Sequence, residues 1–300
     1  MNPIGLTYCL IATICWGIGP IFLRKSLDTF DNIEVNAARS VGTIVVAAFM
    51  CIIFNPSSLA WKYGIVALST IFLFVLLCNV IGDLCYFAAI DNIGVGRALS
   101  TSNSYPIFVA LFSVHILGET PSLKLWIGTA TIITGLVLLN CPKKNSLPPS
   151  KKVRNSVLGF FMAILTSVLW ASSMIIQKWA LTTYAIEPLS FTFWRAILLG
   201  FASWVLWYFH KNNEERKHIF DVGFKKWLSP CLAGVLSLAI GGLALAYALE
   251  ITPASEVTPI TAANPIIAAM IARFAFNEKL SPVQWVGIFL VIIGGVVVSS

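Results

Sequence analysis

The sequence predicts an all-α membrane protein of ten transmembrane helices, arranged as two inverted five-helix repeats. Three observations lead to this fold class: a very apolar composition, a series of ten apolar segments, and an internal repeat. Hydrophobic residues make up 58% of the 300 residues and charged residues only 11%, and the mean hydropathy is strongly positive. A bilayer core about 30 Å thick requires about 20 consecutive apolar residues of a spanning helix. The chain is therefore predicted to cross a membrane many times.

Five apolar runs precede a polar, basic stretch and five follow it. They cover residues 4–23, 33–54, 65–90, 98–117 and 123–141, then 157–180, 189–209, 227–249, 254–276 and 282–299. Within the polar stretch no helix continues through the adjacent prolines Pro148 and Pro149. We therefore predict a first repeat at 1–141, a linker at 142–155 and a second repeat at 156–300. We expect no separate cleavable signal ahead of the first span.

The two halves match without a gap when the first is shifted by 159 positions. The shift superimposes Gly82 on Gly241, Asp91 on Glu250, Pro106 on Pro265, Glu119 on Glu278, Trp126 on Trp285, Gly128 on Gly287 and Gly135 on Gly294. Slightly smaller offsets superimpose Trp16 on Trp170 and Arg39 on Arg195. Five is an odd number, so the second copy must enter from the opposite side of the membrane. Inverted repeats of this kind are typical of transporters.

A common order of motifs occurs in both halves. It consists of a tryptophan early in the first helix, a proline in the fourth, an acidic residue after it, then Trp-x-Gly and a closing glycine. This duplicated order resembles the EamA-type branch of the drug/metabolite transporter superfamily over nearly the whole chain. The resemblance implies ten helices, a central substrate cavity between the halves, and transport of small metabolites, often outward. The copies differ in detail, because Ala171 matches Gly17 and Gly242 matches Asp83.

The candidate substrate-binding residues are polar and aromatic side chains of both halves. They are Trp16, Asp83, Tyr86, Asn103, Tyr105, Trp170, Tyr247 and Asn264. Pro106 and Pro265 are predicted to kink the fourth and ninth helices, and a proline within a span frees a carbonyl that needs a polar neighbour or a wet cavity. Matching interruptions indicate a binding site. Packing kinks without a binding role are the alternative, and the tryptophans and tyrosines could equally serve in packing or as interfacial anchors.

Three of the charged residues within the spans are candidates for a role in proton or substrate binding. Asp83 either carries a proton or binds a substrate amine, or it forms a salt bridge to Arg39 or Arg195, because an unpartnered acid in a spanning helix costs a few kcal/mol. The two arginines either bind a substrate carboxylate through both guanidinium nitrogens or extend to the membrane surface.

Other repeated residues are predicted to have structural roles. The glycines Gly128, Gly135, Gly287 and Gly294 are spaced by seven and allow close helix packing, within the molecule or against a second copy. Glu119 and Glu278 precede short turns and are expected to cap the helices that follow them.

The expected function is gradient-driven transport of small organic metabolites, with export of amino acids or related compounds by alternating access. The expected partners are a small-molecule substrate, the lipid bilayer and protons as coupling ion, and the chain is a monomer or homodimer. Neither a cofactor nor a metal is expected. The basic residues behind the net charge of +7 lie in connections beside membrane segments, so the charge does not indicate binding of nucleic acid. The sequence has no phosphate-binding G-x-x-x-x-G-K-[ST] loop. A membrane-embedded enzyme acting on lipid-linked substrates and a passive channel are the alternatives.

The charge distribution predicts an orientation. The odd-numbered connections contain fourteen lysines and arginines and the even-numbered ones three. Because basic connections stay in the cytoplasm, both termini are predicted to lie outside, whereas the family resemblance implies the reverse.

We expect a C-terminal alkaline phosphatase fusion to be active and a fluorescent-protein fusion at the same site to stay dark. Fluorescence without phosphatase activity would reverse the assignment.

Overall fold

The computed structural model describes residues 1–140, 155–211, 219–275 and 280–300. Over these ranges the regular elements are helices. In the first half they are α1 Pro3–Ser26, α2 Asn32–Phe54, α3 Gly64–Ile93, α4 Val95–Ser102, α5 Tyr105–Ile116 and α6 Leu123–Leu139. In the second half they are α7 Ser156–Thr183, α8 Pro188–His210, α9 Phe224–Ile251, α10 Ala254–Thr261, α11 Asn264–Ala275 and α12 Pro282–Ser299.

Helix length and composition mark this chain as a multi-pass membrane protein. Among the described residues seven helices are long and apolar enough to span a bilayer, namely α1, α2, α3, α7, α8, α9 and α12. α6 is apolar but has only 17 residues. The predicted fourth and ninth spans are each divided into two shorter helices. The all-helical membrane fold is confirmed, and the count of ten crossings stays a prediction.

The prolines of the fourth and ninth predicted spans lie at helix starts. Two residues separate α4 from α5, and two separate α10 from α11. Pro106 and Pro265 therefore occupy the first turn of a new helix, and at each predicted kink the span is interrupted by two residues. A proline fits there because the first N–H groups of a helix have no partner within it.

α3 and α9 each contain a π-helical segment that the sequence did not indicate. The segments are Leu76–Gly82 and Val235–Ile240, which nearly coincide under the shift of 159 that relates the halves. A π-helical turn bonds each N–H to the carbonyl five residues back and so widens the helix, and such segments are frequent at functional sites. Gly82 ends the first segment and Gly241 directly follows the second.

The two halves pack on each other through matching helices. α2 packs on α8, α6 packs on α12, α1 packs on α9 and α7 packs on α3. α6 and α12 run antiparallel, because Gly128 lies against Gly294 and Gly135 against Gly287. A Cβ atom on Gly135 would lie only 2.6 Å from the Gly287 carbonyl oxygen. The repeated glycines thus serve packing within the molecule.

We expect Gly135→Ala to destabilise the protein by about 1–3 kcal/mol, because the added methyl group would press on backbone atoms of α12. Gly295→Ala is the matched control, since a Cβ at Gly295 meets nothing within 4 Å. Thermal unfolding of the purified protein in detergent should show a lower midpoint for the first variant and an unchanged midpoint for the second. Equal midpoints would contradict close packing of α6 on α12.

Candidate functional site

Asp83 and Arg39 form a buried ion pair between α3 and α2. Asp83 immediately follows the π segment of α3, and a guanidinium nitrogen of Arg39 donates to its carboxylate. Only 9% of Asp83 and 7% of Arg39 is exposed. Of the two predicted partners of Asp83, the structure pairs it with Arg39 and leaves Arg195 elsewhere.

Arg195 occupies the corresponding place in the second half. It extends from α8 to the π segment of α9, where it donates to the carbonyl oxygen of Leu238. A Cβ atom at Gly242 would collide with its guanidinium, so the glycine that replaces Asp83 provides the space for the arginine. The guanidinium carbon also lies 5.7 Å from the ring centroid of Phe74 in α3. Both arginines therefore point inward rather than to the membrane surface.

The two repeated tryptophans contact matching backbone positions. Trp16 in α1 donates its indole N–H to the carbonyl oxygen of Ser237, 2.8 Å away, and its ring lies beside Gly241. Trp170 in α7 lies against Gly82, with ring atoms 3.0 Å from where a Cβ would stand. Each tryptophan thus packs on the π segment of the opposite half. A larger residue than glycine would displace the ring.

An aromatic group extends from Trp170 to the breaks in both halves. Ring centroids of Tyr86 and Trp170 lie 5.3 Å apart, and those of Tyr105 and Trp170 lie 6.4 Å apart. Tyr105 begins α5, and its hydroxyl lies 3.2 Å from Oγ1 of Thr261, the last residue of α10. It also donates to the carbonyl oxygen of Thr258 at 3.4 Å. The break before α5 therefore contacts the end of α10.

The remaining predicted residues lie near this group or away from it. Asn103, in the break before α5, is 2% exposed, and its Nδ2 has no hydrogen-bond partner. Asn264 begins α11 and donates to the carbonyl oxygen of Thr261 at 3.0 Å. Tyr247 forms a stacked pair with Tyr8 of α1, with ring centroids 5.1 Å apart. It lies six residues beyond Gly241 and four residues before the end of α9.

The connection between α9 and α10 is held by two charged side chains. Both carboxylate oxygens of Glu119 accept backbone N–H groups at the start of α10, from Ala254 at 2.6 Å and Ser255 at 3.0 Å. Lys178 donates to two carbonyl oxygens at the end of α9, those of Leu249 and Thr252. Each charge therefore opposes the helix dipole end that it contacts.

The structure corrects the predicted role of Glu119. It caps α10 in the other half, whereas α6, the next helix, is capped by Ser122, which accepts from the N–H of Leu125 at 3.2 Å. Sequence spacing suggested the nearest helix, and the actual partner is 135 residues away. Glu278 lies outside the described residues.

Two apolar grooves lie between helices on the outside of the bundle. One is formed by α2 and α8 around Gly200 and Trp204, and the other by α5 and α7 around Phe112 and Trp179. Neither is lined by any of the predicted site residues. Over the described part of the chain, no group of three or more His, Cys, Asp or Glu side chains could hold a metal ion.

The helical membrane fold and the inward-facing polar residues are features of membrane transport proteins. The chain matches the EamA-like transporter family over residues 3–141 and 157–300 and therefore belongs to that family. Its double match fits the internal repeat, and the family lies within the drug/metabolite transporters. The protein is a multi-pass integral membrane protein for which a cell membrane is the expected location.

Several transporters are similar to the chain. An uncharacterized transporter of Archaeoglobus fulgidus is 28% identical over 170 residues, covering 55% of each chain. The Bacillus subtilis transporter YwfM is 23% identical over 310 residues, covering 98% of this chain and 93% of its own. Human solute carrier family 35 member G1 is 24% identical and covers 58% of this chain and 48% of its own. The chain thus spans about half the length of the first and third of these relatives.

A solved crystal structure has the same fold. It superimposes with a TM-score of 0.80 over 99% of this chain and 96% of its own, at 13% sequence identity. At that identity the likeness concerns the fold alone.

We expect Asp83→Asn and Arg39→Met each to destabilise the protein by about 3–5 kcal/mol, since either leaves one buried group without its ionic partner. The double variant Arg39→Met with Asp83→Asn should lose less than the two single losses combined, because neither member of the pair is left charged without the other. Unfolding midpoints of the three purified variants measure this coupling. Losses that simply add in the double variant would show that the pair is not a stabilising contact.

Proposed function

We propose that the protein is a gradient-driven transporter of small organic metabolites that works by alternating access. Residues 1–141 and 156–300 form two inverted repeats of five crossings each, joined by the linker at 142–155. The solutes are amino acids or related compounds, and the direction is export. Protons are the coupling ion in this proposal.

The matched contacts of Trp16 and Trp170 support this proposal most directly. Each ring packs on a glycine beside the π segment of the opposite half, so the two halves meet through equivalent surfaces. Two equivalent surfaces can exchange conformations. The exchange would open the space between the two halves first to one side of the membrane and then to the other. A single asymmetric core would not supply two such related states.

The proposed solute site is the seam between the π segments and the helix breaks. Its proposed wall comprises Trp16, Asp83, Tyr86, Asn103, Tyr105, Trp170, Tyr247 and Asn264, with Arg39 and Arg195 as charged neighbours. Backbone groups without partners are tolerated at membrane depth only within protein or beside a water-filled cavity. Helix breaks at matching positions of two repeats therefore favour a binding role. The aromatic rings would supply apolar contact to the solute.

Purified protein in liposomes tests the proposal. Vesicles loaded with one unlabelled solute at a time and diluted into the labelled form should show saturable counterflow for one class of solute, and a proton gradient should drive net uptake. A channel would instead give a fast, unsaturated leak, and an enzyme would change the solute chemically. Either of these two outcomes would contradict the proposed transport by alternating access.

A mild variant tests the seam itself. Tyr105→Phe keeps the aromatic ring but removes the hydroxyl that contacts Thr258 and Thr261, so counterflow should change severalfold while the unfolding midpoint shifts little. Ser69→Ala is the matched control, because the Ser69 hydroxyl bonds its own helix and the residue is exposed on the bundle surface. Identical rates in both variants would place Tyr105 outside the transport path.

A further inference from the structure

The two halves differ in how they neutralise a buried arginine. In the first half the carboxylate of Asp83 pairs with Arg39. In the second half the matching position is Gly242, and among the described residues no carboxylate lies within ion-pair distance of Arg195. Arg195 is nevertheless only 4% exposed. The symmetry of the repeat is therefore broken at a charged position.

The Arg195 charge is not balanced by its immediate contacts. A guanidinium stays protonated in proteins, and removing one from water without a counterion is strongly unfavourable. The Leu238 carbonyl accepts a hydrogen bond but carries no net charge. The Phe74 ring adds a cation–π attraction, which is too weak to replace a counterion. Both contacts orient the guanidinium without neutralising it.

The neighbouring charges leave the imbalance in place. Arg39 acts on Arg195 as a second positive charge, and Arg39 Nε has no acceptor of its own. Asp83 is already bonded to Arg39. The only other buried acid in the described chain, Glu34, lies in the first turn of α2, where it accepts the backbone N–H of Asp31. The charged groups of the seam therefore sum to one positive charge.

We propose that Arg195 is the anion-binding residue of the seam and that the solute carries a carboxylate. A carboxylate supplies the missing negative charge and can accept two parallel hydrogen bonds from one guanidinium. Among the described residues of the seam, the ammonium group of an amino acid would have no free acid to meet, because Asp83 is bonded to Arg39. Of the amino acids and related compounds proposed above, the solute is therefore one of the related compounds, an organic acid without an amine. This inference rests on the proposed transport function and narrows its substrate.

Matched solutes test the charge requirement on the full chain in lipid nanodiscs. Two sets are compared at constant ionic strength: 3-phenylpropanoate, phenylalanine and 3-phenylpropanamide, and succinate, aspartate and succinamide. The unfolding midpoint should rise with the carboxylate of at least one set, less with its amino acid and not with its amide. Arg195→Gln should weaken carboxylate binding roughly tenfold to a hundredfold. No response to either carboxylate, or equal responses within both sets, would overturn the proposal.

Two substitutions at Gly242 separate charge from shape. Any Cβ at this position meets the flexible end of Arg195, which can move aside. Gly242→Asp would give Arg195 the internal carboxylate that Arg39 already has, so the variant should fold and no longer respond to carboxylates. Gly242→Ala displaces the guanidinium similarly without supplying charge and should keep a weakened response. Gly295→Ala is the control for an unaffected response. Carboxylate binding that persists undiminished in Gly242→Asp would overturn the proposal.

Counterflow separates this site from the transport function. Saturable counterflow of an uncharged solute that is unaffected by Arg195→Gln would keep transport and remove the anion site. Carboxylate binding that depends on Arg195 but occurs without counterflow of any carboxylate would support the anion site and contradict the transport function.

Discussion

An arginine in the hydrocarbon core needs a hydrogen-bond acceptor within reach of its guanidinium. Because two arginines lie at matching positions, both halves of the chain must supply such an acceptor. Arg39 finds a carboxylate and Arg195 a backbone carbonyl. Both partners lie in or beside the π segments of α3 and α9. The widened segments and the inward direction of the arginines are thus parts of one arrangement, in which charge is kept away from lipid.

The same π segments also carry the contacts between the halves. Trp16 and Trp170 each pack where a glycine leaves the backbone open, and a bulkier residue at Gly82 or Gly241 would exclude the ring. Close approach through small residues is the usual way for membrane helices to associate, since lipid gives no hydrophobic drive between them. Charge pairing and helix association therefore depend on the same few turns. A movement of one of these turns would change both the arginine contacts and the packing between the halves.

The matching of the halves is incomplete at places where polar groups are involved. Gly242 replaces Asp83, which changes the partner of the arginine but not its direction. At the other end of α9, Glu119 and Lys178 hold the connection to α10 with charges of opposite sign. Such contacts are directional and local, whereas helix packing is not. A repeat can thus keep its fold while its polar positions diverge.

Local patterns in the sequence determined the membrane class, the helical segments and the repeat, because burial in lipid demands long apolar runs and the glycine, proline and tryptophan spacings occur twice. Most helix ends also agree with the apolar runs to within a few residues. The sequence placed Asp83 inside the bundle, but it left both arginines open between the interior and the membrane surface. It also left the partner of Asp83 open between Arg39 and Arg195. The role of Gly242 in making room for Arg195 had no signal beyond the mismatch with Asp83.

Only the tertiary structure decided which groups meet. The π segments depend on hydrogen-bond register, which packing from neighbouring helices selects and composition does not encode. The capping of α10 by Glu119 likewise depends on groups far apart in the chain. Hydrophobic periodicity is a property of single helices and could be predicted from the sequence, whereas pairing between charged and polar groups depends on three-dimensional distance and could not.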